Sequence, residues 1–220
     1  MNLTNQLNHE AEFERAWAYP AYTQIEQPAL DVNRALAKRY CTGEPLTFTR
    51  TMLWDMEARK ALRPDRYIPT VVRQGSAQAW GRSSLSDGSE SFVRASTQRL
   101  WLEHAAYGLV LEQVRLNHAQ QTVRFIGTAA ITELDGKVLR ASSGQPLFHV
   151  EHAVGGEESR PLNKWRIVHL TDKPDPSLVE TFIQLTRNGW LPEFIEIYIR
   201  DDLNIKLRRR EALRAWSWRR

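Results

Sequence analysis

Residues 145–171, QPLFHVEHAVGGEESRPLNKWRIVHLT, constrain this chain more than any other stretch. Apolar and polar residues alternate with period two at both ends, the pattern of a sheet with unlike faces. Two strands are expected, 147–154 and 165–171, joined by a polar loop holding Gly155, Gly156 and Pro161. With Val154 paired to Trp165, His152 lies opposite Ile167 and Val150 opposite His169. Phe148, Val150, Val154, Trp165 and Ile167 then form one apolar face, with His152 and His169 diagonal inside it. His149 and Glu151 point to the other face, so His149, Glu151 and His152 cannot converge on a metal without a bulge.

Upstream, helices are expected at 11–17, over the Leu30, Val32, Leu36, Tyr40 pattern, and at 49–62. In the last of these Met52, Leu53, Met56 and Leu62 recur at helical spacing and Pro64 stops the helix. Residues 67–72 read as a short extended piece, and the Ser/Gly-rich 81–90 as a mobile loop. A long hairpin is expected from 107–116 and 122–134, pairing Leu116 with Val123, Val114 with Phe125, Glu112 with Gly127 and Val110 with Ala129. Asp135-Gly136 marks a tight turn. Helices follow at 177–187 and 201–218, while 192–199 fits a helix and a strand equally.

A chain of 220 residues is long enough for one domain with appendages. No apolar run approaches the roughly 18 residues of a membrane helix, and the polar N-terminus is not a secretory signal. The single cysteine, Cys41, permits no internal disulfide, which fits a cytoplasmic protein. In the tail, Lys206, Arg208, Arg209, Arg210, Arg214, Arg219 and Arg220 stand against Glu211. That makes the tail +6 and leaves −2 for the rest of a chain of net charge +4. The basic balance therefore describes a tail and not a domain surface. Nucleotide, P-loop, esterase-elbow and zincin motifs are absent, and no cofactor or metal is implied.

Helices first, then long antiparallel strands, then Lys164-Trp165-Arg166-Ile167-Val168-His169: this order resembles the α+β cone superfamily named for nuclear transport factor. That superfamily includes ketosteroid isomerases, scytalone dehydratase and polyketide cyclases. The resemblance covers roughly residues 29–171. It implies N-terminal helices packed in the concave face of a strongly curved antiparallel sheet, with an apolar pocket between them and a homodimer as the assembly. Residues 1–28 are then an N-terminal extension, 29–171 the cone domain, and 172–220 an additional C-terminal helical segment with the basic tail.

Five residues are candidates for chemistry. His152 and His169 have near-neutral reference pKa values and suit acid–base work, or are core histidines satisfied by backbone. Glu112 is the one charge in an apolar row, a base candidate unless the register slips by one residue. Asp55, with Glu57 on the same helix, either lines the pocket or is a surface acid. Tyr67 is a candidate oxyanion donor, or a core tyrosine. The expected function is binding of a small hydrophobic molecule, as a cofactor-independent isomerase, cyclase or dehydratase. The alternative is a non-catalytic module of the same fold, like the small subunit of an oxygenase, acting through protein contacts. The arginines, Trp216 and Trp218 of the tail either bind nucleic acid or an anionic surface, or pack on the protein itself.

Overall fold

In a computed structural model, residues 7–132, 135–142 and 144–210 are described. The chain is α+β. Its strands are β1 (Thr23–Asp31), β2 (Tyr40–Thr42), β3 (Gln78–Ser84), β4 (Glu90–Arg99), β5 (Tyr107–Asn117), β6 (Thr122–Gly127), β7 (Ala130–Thr132), β8 (Val138–Arg140), β9 (Phe148–Glu157), β10 (Arg160–His169) and β11 (Leu207–Arg209). Its helices are α1 (His9–Trp17), α2 (Val32–Arg39), α3 (Arg50–Leu62), α4 (Pro64–Tyr67), α5 (Pro176–Thr186) and α6 (Glu193–Ile197), the last running into a π-helical turn, Tyr198–Asp202. Seven strands make one antiparallel sheet in the order β1-β10-β9-β6-β5-β4-β3.

The sheet's edge strand β1 precedes α2 and α3 and pairs with the last long strand, Thr23 opposite His169. The order therefore departs from the helices-first order behind the cone resemblance. The boundary expected at residue 28 also falls inside β1. Its pairing breaks between Gln27 and Leu30, a bulge that lets Asp31 turn and cap α2 by accepting from the Arg34 N–H.

Two faces of β9 and β10 do different work. Phe148, Val150, His152 and Val154 share their side with Asn163, Trp165, Ile167 and His169, as the alternation requires. The register differs from expectation: Trp165 pairs with His152 and Asn163 with Val154. Against the expected ends at 154 and 165, β9 runs on to Glu157 and β10 starts at Arg160, with Gly155 and Gly156 inside β9. A slip of two keeps every side chain on its face, so the face was legible where the pairing was not. Helices α2, α3, α5 and α6 cover this side through the clusters of Leu36, Leu53, Met56, Phe194, Leu178 and Phe182. Helix α1 lies on the opposite side, its Phe13 and Ala16 against Ile126 and Val168. One N-terminal helix is thus outside the hollow, held by Glu14 to Arg166 and by the Arg166 guanidinium over the Phe13 ring at 4.8 Å.

The hairpin β5–β6 takes the expected register from Leu116–Val123 to Glu112–Gly127. Other local expectations are corrected by pairing. Residues 81–90 are a hairpin of β3 and β4, because β3 has β4 to pair with. Tyr67 closes the short helix α4, begun by Pro64 at its first turn, so only Val72 of the expected extended piece bridges a strand residue, Gln98. Helix α3 begins where Thr49 accepts from the Met52 N–H at 3.1 Å. Residues 193–197 are helical. The helix expected at 201–218 gives way to β11, which pairs with β2, and the rest of it lies outside the described residues. In the described tail, Arg209 bonds Glu196 and the Arg210 Nε–H donates to the Tyr40 carbonyl, so this part packs on the protein itself. No helix among the described residues is long and apolar enough to cross a membrane.

Gly127 sits where a Cβ would collide with the Phe148 carbonyl oxygen. Backbone cannot yield as a flexible side chain can. The variant Gly127→Ala should therefore lose roughly 1–3 kcal/mol, read as a lower urea midpoint; an unchanged midpoint would show that β6 and β9 are not this close.

Candidate functional site

The hollow between sheet and helices is a cavity of about 470 Å3. Its walls are apolar: Phe125, Phe148, Val150, Trp165 and Ile167 from the sheet, Phe182 and Leu185 from α5, and Trp190–Phe194 from the segment leading into α6. The polar side chains on its lining include Lys60, Arg94, Gln98, Glu112, His152 and Asn163, with Gln27, Thr70, Thr186, Asn188, Glu193 and Arg209 besides. A second hollow of about 590 Å3 beside α2 is lined by Asn33, Cys41, Thr42 and Ser159 among others. It holds no buried carboxylate or histidine, so the first cavity is the candidate site.

Helix α3 supplies the central cluster. Leu53, Met56, Glu57, Lys60 and Ala61 are its buried residues, so a carboxylate and an ammonium share a face with three apolar side chains. Lys60 Nζ lies 2.6 Å from Glu57 Oε2 and 2.7 Å from His152 Nδ1. His152 Nδ1 is also 3.0 Å from Glu57 Oε2, and the Asn163 amide donates to Glu57 Oε1 at 2.9 Å. Burial alone pushes the Glu57 carboxyl up, but Lys60 and His152 outweigh it and hold the group down at about 2. Burial lowers the Lys60 ammonium to about 8 against the opposing pull of Glu57. His152 is lowered too, by burial first and then by the Lys60 charge.

These directions fix the proton positions at neutral pH. Glu57 is an anion, Lys60 a cation and His152 neutral. One nitrogen cannot accept from the ammonium and donate to the carboxylate at once. With Lys60 charged, Nδ1 accepts and the ring proton sits on Nε2. His152 is 12% exposed against 4% for Lys60 and 1% for Glu57, so the ring is the most exposed of the three. It is clamped flat on Trp165, 5.0 Å between centroids and 19° between planes.

Glu112 also reaches the cavity wall, 2% exposed, but as half of an ion pair. The Arg94 Nε–H and Nη2–H donate to its Oε2 at 2.8 and 2.6 Å, and Nη1 donates to the Ala61 carbonyl at 2.8 Å. Arg94 stands directly opposite Glu112 across β4 and β5.

The other three candidates lie off the cavity wall. His169 is fully buried beneath α5, between the rings of Phe148 and Phe182, and neither ring nitrogen has a partner among the described residues. Burial lowers it to about 4. Asp55 is on the outer side of α3, 41% exposed, paired with Arg59 and accepting from the Tyr198 hydroxyl. Tyr67 gives its hydroxyl to Asp202 at 2.8 Å. The sequence does not single out Lys60, Arg94 or Asn163, and leaves Glu57, beside Asp55, between pocket and surface; it is buried. Its spacing from Leu53 and Ala61, four residues each way, was the available signal. Among the described residues no cluster of three or more His, Cys, Asp or Glu is placed to hold a metal ion.

No family model and no curated protein matches the chain. Solved structures do. The ZhuI aromatase/cyclase from Streptomyces sp. R1128 is 8% identical with a TM-score of 0.48, covering 82% of this chain and 98% of that one. Ara h 8.0201 is 12% identical with a TM-score of 0.45, covering 80% and 95%. A truncated norcoclaurine synthase from Thalictrum flavum is 10% identical with a TM-score of 0.44, covering 83% and 94%.

Two pH titrations check this electrostatic account. In Lys60→Met, His152 loses a repelling cation and keeps Glu57, so its ring titration followed by NMR should move up; Glu57→Gln should move it the other way. A ring that titrates unchanged in both variants contradicts the cluster. His169, neutral when folded, contributes stability that is complete above its unfolded pKa of about 6.5 and is lost as pH falls toward 4. The variant His169→Phe should lose roughly 2 kcal/mol less than the parent between pH 7 and pH 5, measured by urea unfolding at both.

Proposed function

We propose that the chain binds a small hydrophobic, ring-bearing molecule in this cavity. We further propose that His152, backed by Lys60 and Glu57, moves a proton on it, as a cofactor-independent isomerase, cyclase or dehydratase would. One observation carries the reading: a proton donor chain, Lys60 to His152, ends at the wall of an otherwise apolar hollow of about 470 Å3. That volume lies within the roughly 300–1,000 Å3 usual for ligand sites.

The chemistry follows from the proton positions. A ligand carbonyl or enolate oxygen accepts from the His152 Nε2–H. As that proton leaves, Nδ1 takes one from the Lys60 ammonium, and Lys60 is left neutral beside Glu57. The step moves one positive charge from Lys60 to the ligand oxygen and creates none, which matters where the dielectric is low. A lysine near 8 is matched to giving up its proton near neutral pH in a way a free lysine at 10.5 is not.

The second reading, a non-catalytic binding module, has its own support in the Arg94–Glu112 pair. A carboxylate that accepts two guanidinium hydrogen bonds is occupied, and is not free to act as a base.

N-phenyl-1-naphthylamine, an uncharged probe that brightens in apolar surroundings, should bind with one-to-one stoichiometry and be weakened by Trp165→Ala. Once a substrate is in hand, His152→Gln should leave its binding within a few-fold and lower turnover by about 10²–10⁴. Turnover should also fall above about pH 8 as Lys60 loses its proton. Turnover untouched in His152→Gln rules out the catalytic part and leaves the binding module.

A further inference from the structure

Among the described residues, every cation that lines the cavity is already matched. Lys60 holds Glu57 at 2.6 Å and has the Phe194 ring 3.7 Å beneath it. Arg94 holds Glu112 and has the Phe125 ring 4.4 Å from its guanidinium carbon. Arg209, at the mouth, holds Glu196 at 2.8 Å and lies over the Trp190 ring. A further carboxylate, Glu193, also lines the mouth, where it accepts from the Thr70 hydroxyl. Each of these three cations thus has a carboxylate partner, and is pinned on one side by that acid and on another by a ring. An incoming anion would be stripped of water, would meet no unmatched positive charge among the described lining residues, and would lie beside Glu112 and Glu193. An uncharged hydroxyl or carbonyl faces no such opposition. It meets neutral polar side chains on the same wall: Gln98, Asn163 and His152.

We propose that the cavity is selective for uncharged ligands, a hydrophobic ring system bearing neutral hydroxyl or carbonyl oxygens, and that the Arg94–Glu112 and Lys60–Glu57 pairs exclude carboxylates of the same skeleton. This rests on the reading of the cavity as a ligand site and narrows it to a chemical class. It assigns the two carboxylates a specificity role: they neutralise cations that would otherwise make the hollow an anion site.

The test compares 2-naphthol with 2-naphthoate as competitors of bound N-phenyl-1-naphthylamine, on the full chain at pH 7.5, where the first is neutral and the second an anion. The naphthol should bind more tightly by on the order of tenfold or more, since an unmatched like charge costs several kcal/mol at close range. In Glu112→Gln, Arg94 loses its carboxylate, and the preference should shrink or reverse through tighter naphthoate binding. Should that variant fail to fold, Glu193→Gln at the mouth provides the same comparison with a smaller gain for the anion. A parent protein that binds naphthoate as well as naphthol overturns the proposal, as does a preference unmoved in these variants. Failure of the uncharged probe itself to bind would instead remove the ligand site and the selectivity together.

Discussion

The constraint on which this molecule turns is the burial of Glu57 and Lys60 on a helix that otherwise presents Leu53, Met56 and Ala61 to the sheet. Charges taken out of water are costly unless each finds its partner in good geometry. Glu57 is fully buried and Lys60 is 3% exposed, so helix α3 is confined to a placement where Asn163 and His152 meet them. The far end of α3 is tied a second time, by Arg94 reaching the Ala61 carbonyl while it holds Glu112. An apolar helix face could slide or settle closer. One fastened to the sheet by hydrogen bonds with His152, Asn163 and Arg94 stands at a set distance, and the hollow beside it stays open.

Aromatic rings then shape what the charges hold apart. Trp165 stacks on His152 and meets Phe194 at 5.3 Å, so the wall that carries the His152 imidazole is continuous with an aromatic wall. On the other side of the sheet the polarity is reversed. Glu151 accepts from Arg124 and Arg166 there, and α1 is clipped on through Glu14. Buried polar networks thus stand on both sides of β9, one step apart along the chain. Period-two alternation makes this possible: Glu151 and His152 are neighbours in sequence and never share a surface.

Much of this was legible locally. The alternation around Phe148, Val150 and His152 assigns them a common face, and Glu112 opposite Gly127 follows from the β5–β6 hairpin. Thr49 and Pro64 bracket α3 as a cap and a stop. Other features had no local signature. That residues 23–31 close the sheet against 160–169 depends on a contact across more than a hundred residues, and nothing in the short stretch around Pro28 announces it. The partner of Glu112 was unreadable for the same reason. Arg94 lies across a different hairpin, and its capture of Glu112 turns a candidate base into an occupied acid. Asp55 and Glu57, two residues apart, looked alike in sequence; the helix places them on opposite sides, one against Arg59 at the surface and one beside Lys60 in the core.

By itself the sequence determined the class of the fold and which side chains share a side of each strand, because steric periodicity is a local property of the backbone. It also determined that the basic charge belongs to a tail. Only the tertiary structure decided which helix side chains meet His152, which acids are matched, and that a hollow remains. Proton positions and cavity volume depend on distances between elements far apart in the chain, and those distances are set where α3, β9 and β10 meet.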